Sequence, residues 1–290
     1  MGFKRNLILA GISLFILTII LFNFKWPLNF TFGDHHSEVK SAEQVAPTSD
    51  PSNSTPTPAL TPDNQDKPKL SEFPKEGIPV LMYHSISTIP GNTLGVPVKQ
   101  FTEEMEWLHR QNYHSLSLEE FYQALANGTP VPEKPILLTF DDGYSDNYND
   151  AWPILRQYGF RATFFITTNS VGPGMMNWDQ LNDLARQGNS IGSHTVNHLD
   201  LATLSDKQQK SELTNSKQEL EKNLGISEIA LCFPSGRYNK TTLDLMPELG
   251  YKLGFTTQPG KVHLGDDLLT LKRVRISGGM SLASFRELFP

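Results

Sequence analysis

From Ile78 onward the chain consists of short apolar runs separated by amphipathic segments, and this alternation restricts it to a few architectures. The runs at residues 80–83, 136–140, 162–166, 190–193, 229–233, 253–256 and 271–276 have the length and bounding residues of strands. Helical signals fill the gaps between them. Phe101, Met105 and Leu108 recur at helical spacing, and Ser117 with Glu120 and Ser205 with Gln208 have the form of capping boxes. Gly159 and Gly250 stand where helices should stop. Such alternation predicts an α/β fold with parallel strands and helical crossovers, either a barrel or an open doubly wound sheet.

The first 77 residues follow another logic. Lys4 and Arg5 precede an apolar run from Leu7 to Phe22, which Phe24 and Trp26 extend towards the roughly 17–25 residues of a membrane span. The expected division is a cytoplasmic N-terminus over residues 1–5, a transmembrane signal-anchor over 6–26, an extracytoplasmic linker over 27–77 and a catalytic domain over 78–290. Secretion after signal cleavage is the alternative, although no small-x-small site follows promptly after Phe22. From Ser41 to Lys69 the chain is rich in Pro, Ser, Thr, Asp and Asn, has no aromatic residue, and cannot bury enough apolar surface to offset its ordering entropy. A net charge of -6 offers no basic surface for nucleic acid. The single cysteine, Cys232, permits no internal disulfide, and its apolar run predicts a buried small hydrophobe.

Two motifs carry chemistry. Thr139-Phe140-Asp141-Asp142-Gly143 and Ser193-His194-Thr195-Val196-Asn197-His198 each follow an expected strand. Two adjacent carboxylates would repel if both were ionised and dry, and a divalent cation beside one relieves this. Two histidines four residues apart can direct both rings to one ion, and a carboxylate completes a three-ligand set with positions open for water and substrate. Thr195 stands where zinc-peptidase helices carry their glutamate base, so a base must come from elsewhere, and Asp141 or Asp142 can provide it. His84, the Pro234-Ser235-Gly236 turn and Thr257 also fall at expected strand ends, where parallel α/β folds build active sites.

Together these motifs resemble the polysaccharide deacetylases of the NodB-homology type, carbohydrate esterase family 4, over roughly Ile78 to Leu288. The resemblance implies a distorted (β/α)7 barrel and removal of N-acetyl groups from an aminosugar polymer with release of acetate. It also implies that Asp141 is the general base and that Asp142, His194 and His198 hold a divalent metal, commonly Zn2+. The backbone N–H of Ser235 would stabilise the oxyanion, in a Phe233-Pro234-Ser235-Gly236 turn where the family has a Pro-Tyr-Gly-like one.

Two departures from the family pattern stand out. In place of a Leu-x-x-His-Asp-like motif, the usual source of the general acid, the chain has Leu271-Lys272-Arg273-Val274-Arg275. Pro79 to Ser85, however, resembles the branch that deacetylates poly-N-acetylglucosamine, which nominates His84 as the acid, with His263 as the alternative. The arginine that orients the base in many relatives is missing from its place before the turn, leaving Arg237 as a candidate to approach the site. Tyr144, Trp178, Arg237 and Tyr238 are candidate substrate contacts, Trp178 by stacking on a sugar or else by packing on the barrel. The substrate is expected to be poly-N-acetylglucosamine or peptidoglycan. A noncatalytic glycan-binding module and a metal-dependent peptidase or amidase are the competing classes.

Overall fold

The computed structural model describes residues 68–227 and 229–289. The apolar run at residues 7–22 and most of the linker lie outside them. Among the described residues no helix is long and apolar enough to cross a membrane.

Seven parallel strands close into a barrel: β2 (Val80–Tyr83), β5 (Pro135–Phe140), β6 (Thr163–Ile166), β7 (Ser190–Ser193), β8 (Ala230–Cys232), β9 (Leu253–Pro259) and β10 (Leu271–Arg275). Closure is made by β10 pairing with β2 and β2 with β5, and a short β3 (His114–Ser115) joins the outside of β5. The expected α/β barrel is thus present, and each of the seven runs is a strand, with ends shifted by a residue or more in five. Strand β9 runs on to Pro259, so Thr257 lies within it. Strand β1 (Leu70–Ser71), which pairs antiparallel with β4 (Val131–Pro132), precedes the boundary drawn at residue 78, and Phe73 packs on the core. Paired structure therefore starts where the Pro/Ser/Thr-rich tract ends at Lys69, ahead of that boundary.

Helices α1 (Val98–Arg110), α2 (Leu118–Asn127), α3 (Trp152–Gln157), α4 (Trp178–Arg186), α5 (Asp206–Leu224), α6 (Lys240–Glu248) and α7 (Leu282–Arg286) connect or flank the strands. Both anticipated capping boxes form, at Ser117 for α2 and Ser205 for α5. Each strand sends alternate side chains to opposite faces. Leu81, Tyr83, Leu138 and Phe140 pack outward beneath Phe101, Met105 and Leu108 of α1. Val80, Leu137, Phe165, Cys232, Phe255 and Leu271 form a second cluster with Leu118, Phe121 and Ala124 of α2. Continuing the second register along β5 and β10 brings Thr139, Asp141 and Arg273 inward, all buried.

Gly254 on β9 is needed for packing. A methyl there would sit 2.1 Å from the Leu269 carbonyl oxygen. Gly254→Ala is expected to destabilise the fold by about 1–3 kcal/mol through overpacking. The urea midpoint measures this, and an unchanged midpoint would show that the 269 segment yields freely.

Candidate active site

The inward register of β5 ends in Asp141, and the guanidinium of Arg273 on β10 meets it edge-on. Arg273 Nη1 donates to Asp141 Oδ1 and Nη2 to Oδ2, each at 2.7 Å. Its remaining N–H groups reach the Thr256 carbonyl at 2.9 Å, Thr139 Oγ1 at 3.1 Å and Cys232 Sγ at 3.1 Å. All five donors of a fully buried arginine are therefore used, the condition under which burying such a charge is tolerable. Burial pushes the Asp141 carboxyl up, but the Arg273 charge and its hydrogen bonds hold it well below the usual carboxylate range. Asp141 is thus anionic at neutral pH and aimed by a bidentate fork.

Arg273 fills the orienting role for which Arg237 was a candidate. Arg237 instead bonds Asp200 Oδ2 at 2.5 Å on an exposed surface and does not reach Asp141. Cys232 is buried as expected, yet its surroundings are not purely apolar: its Sγ also lies 3.5 Å from Asp141 Oδ2.

Asp142 turns the other way. Its φ of 74° is left-handed, and its Oδ1 lies 3.4 Å from Nε2 of both His194 and His198. Donors about 2.0–2.2 Å from a tetrahedral ion stand about 3.3–3.6 Å apart, so this set fits a divalent metal. His194 Nδ1 bonds the Cys232 carbonyl at 2.8 Å, which fixes the tautomer that leaves Nε2 as the free lone pair. Burial pushes His194 down, yet Cys232, Asp142 and Asp141 raise it well above the usual imidazole range, so a metal bound there would displace a proton from Nε2.

The histidine loop is held by a residue the motif did not signal. Glu212 of α5, buried, accepts from the N–H groups of Val196 and Asn197, each at 2.9 Å, and from Asn197 Nδ2 at 2.6 Å. Thr195 and His198 both have positive φ, at 68° and 55°, and the Thr195 hydroxyl accepts from His198 N–H at 3.1 Å. The only sequence signal for Glu212 is an acidic residue on the polar helix following the motif.

His84 Nε2 lies 3.9 Å from Asp141 Oδ2. Burial lowers its pKa against the raising effect of Asp141 and Asp142. His263 is on the opposite side: it abuts Gly77, and its neighbour Val262 pairs with Ile78 before the start of β2. This removes it as an alternative acid. Ser235, exposed and at φ 53°, forms the turn after β8. Tyr144 is half-buried and in hydrogen-bonding reach of Asp142; burial and that charge raise its phenol. Trp178 packs on the outer cluster at the start of α4. Tyr238 stacks on Phe233, with ring centroids 4.6 Å apart.

Residues 128–254 match the family model described as polysaccharide deacetylase. The chain is 42% identical over 209 residues to YxkH of Bacillus subtilis, a protein named among the polysaccharide deacetylases, covering 72% of this chain and 74% of that protein. It is 27% identical over 258 residues to the poly-beta-1,6-N-acetyl-D-glucosamine N-deacetylase of Staphylococcus epidermidis, covering 78% and 88%. Among solved structures it resembles the Streptococcus pyogenes deacetylase PplD in complex with acetate, with a TM-score of 0.70, 35% identity and coverage of 77% of this chain and 100% of that one.

Removing Arg273 inverts a pH dependence. In the native protein the depressed Asp141 contributes stability that is present above its unfolded pKa of about 3.9 and lost as pH falls. In Arg273→Met, burial without compensation raises Asp141, so stability is full at acid pH and is lost as pH rises through the new value. Urea denaturation across pH should show this inversion and a loss of about 3–5 kcal/mol at neutral pH. A variant profile parallel to the native one would refute the coupling.

Proposed function

We propose a reaction on one premise: the chain belongs to the polysaccharide deacetylase family and is an enzyme of that class. The reaction is metal-dependent hydrolysis of N-acetyl groups on an N-acetylglucosamine-containing polysaccharide, with release of acetate. What carries this reading is the Asp142, His194, His198 set beside a separately anchored Asp141. A divalent cation held by those three residues would polarise an acetyl carbonyl and acidify water at neutral pH, and Zn2+ suits the donor set. Asp141, ionised and oriented by Arg273, accepts the proton of the attacking water. As the carbon–nitrogen bond breaks, His84 delivers a proton to the departing amine, which otherwise leaves poorly. Ser235 N–H is the backbone donor assigned to the charge that develops on the carbonyl oxygen. Tyr144 and Tyr238, next to these motifs, are assigned to the sugar groove.

The polymer we favour is poly-N-acetylglucosamine, the substrate in the name of the S. epidermidis relative, over peptidoglycan. Acetate, the expected product, is the ligand named with the S. pyogenes structure. We place the enzyme outside the cytoplasm, tethered by the apolar run of residues 7–22, where an exported or wall glycan passes close to the membrane. Recovery of the chain in washed membranes supports the tether; a soluble form in the medium with a new N-terminus would contradict it.

With β-linked N-acetylglucosamine oligomers, acetate release is expected to stop with chelator and return with zinc. Asp141→Asn should abolish turnover while leaving about one ion per chain by elemental analysis, and His84→Gln should lower kcat by about 10²–10⁴. Peptide cleavage without acetate would replace this reaction with an amidase one. Binding without either product would leave a glycan-binding module.

A further inference from the structure

We infer that Asp146 and Asn147 are positioning residues that lock the backbone of His84 to the loop bearing Asp141 and Asp142. This rests on the reading of His84 as the general acid. Both residues lie just past the Asp-Asp-Gly motif, yet their side chains reach back to the segment leaving β2. Asn147 Nδ2 donates to the His84 carbonyl at 2.7 Å and to Asp146 Oδ1 at 3.0 Å. Asp146 Oδ1 accepts from Ile86 N–H at 3.0 Å, and Oδ2 from the Ser85 hydroxyl at 2.6 Å. Three consecutive residues, His84 to Ile86, are thus each held by one side chain of this pair.

Two further observations separate this clamp from ordinary loop packing. Asn147 is fully buried, and its Oδ1 has no hydrogen-bond partner in the structure. A half-satisfied buried amide costs about 1–3 kcal/mol, so packing alone does not account for it; its donated hydrogen bonds do. Asn147 also opens a π turn over Asn147–Ala151, an irregular helical turn of the kind that re-aims side chains at functional sites. That turn swings the amide back under His84, whose ring makes no hydrogen bond among the described residues: Nδ1 is buried without a partner, and Nε2 stands 3.9 Å from Asp141 Oδ2. With little holding the imidazole itself, its placement depends on the backbone, and a displacement of about 1 Å can cost about 10²-fold in rate.

The test is Asn147→Asp, which keeps the shape and, once ionised at alkaline pH, cannot donate to the His84 carbonyl, with Ser85→Ala and Ser85→Thr as milder variants. The full chain is used, with acetate release and ¹⁵N NMR of the histidine rings as readouts, the His84 signal being assigned by its loss in His84→Gln. Asn147→Asp is expected to lower kcat by about 10²-fold with KM within about twofold, unchanged metal content and a shifted, broadened His84 signal. Ser85→Ala should show a smaller drop in kcat that Ser85→Thr restores. Should Asn147→Asp fail to fold, the Ser85 pair decides alone: no drop, or no restoration by Thr, overturns the clamp. Loss of stability with kcat and the His84 signal unmoved would also overturn it. If wild type releases no acetate while Asn147→Asp still shifts the His84 signal, the clamp stands and the general-acid reading falls.

Discussion

The site depends on one buried ion pair. A carboxylate inside a barrel is tenable only if its charge is met and its lone pairs used, and Arg273 does both for Asp141. The arginine in turn is tenable because Thr139, Thr256 and Cys232, from three strands, take the donors that Asp141 does not. The pair therefore ties β5 to β8, β9 and β10 across the barrel interior, and it exists only in the closed barrel. Its net contribution to stability is modest, since desolvating two charges offsets most of their attraction. What it supplies is direction: a carboxylate whose two oxygens cannot rotate away.

The rim above that pair is built differently. Of the non-glycine residues with positive φ, Asp142, Thr195, His198 and Ser235 all lie on the loops of the site. Left-handed backbone at such residues costs of order 1–3 kcal/mol each and persists only where the surroundings impose it. At the histidine loop the imposition is visible, with Glu212 accepting two successive N–H groups and the Thr195 hydroxyl a third. A carboxylate on a regular helix thus holds an irregular turn, so His194 and His198 inherit the rigidity of α5.

Most of the framework was legible in the sequence because it is written locally. Apolar runs of strand length, capping boxes at Ser117 and Ser205, and motifs at strand ends are all short-range patterns, and the resemblance built on them implied the barrel. What stayed hidden is long-range. Arg273 was visible only as a departure from a histidine motif, because its role depends on which face of β10 it occupies and on a partner 132 residues away. Arg237 was a candidate through its nearness in sequence to the turn, with a surface contact equally open, and Asp200 holds it at the surface. Cys232 read as a plain hydrophobe, since apolar neighbours in sequence do not disclose that its strand faces the ion pair. Asp146 and Asn147 belong to no motif legible in the sequence, and only the segment leaving β2 gives them partners.

The meeting of β2 and β5 explains why His84 and Asp141 can be neighbours although they stand 57 positions apart in the sequence. The two strands run parallel in register, with Tyr83 opposite Phe140, so the residues that follow, His84 and Asp141, leave the barrel at the same height. The Asp141 N–H continues the ladder to the Tyr83 carbonyl at 3.0 Å. This pairing is also one of the two that close the barrel, and closure cannot slip by one residue without turning every inward side chain outward. Barrel closure, strand register and the spacing of His84 and Asp141 are therefore one constraint. A change that loosened the β2–β5 seam would separate His84 from Asp141 before it disturbed the Asp142, His194, His198 set, which hangs from β5 and β7. The His84–Asp141 pairing is accordingly the more fragile half of the site, and the Asp142, His194, His198 set the more robust one.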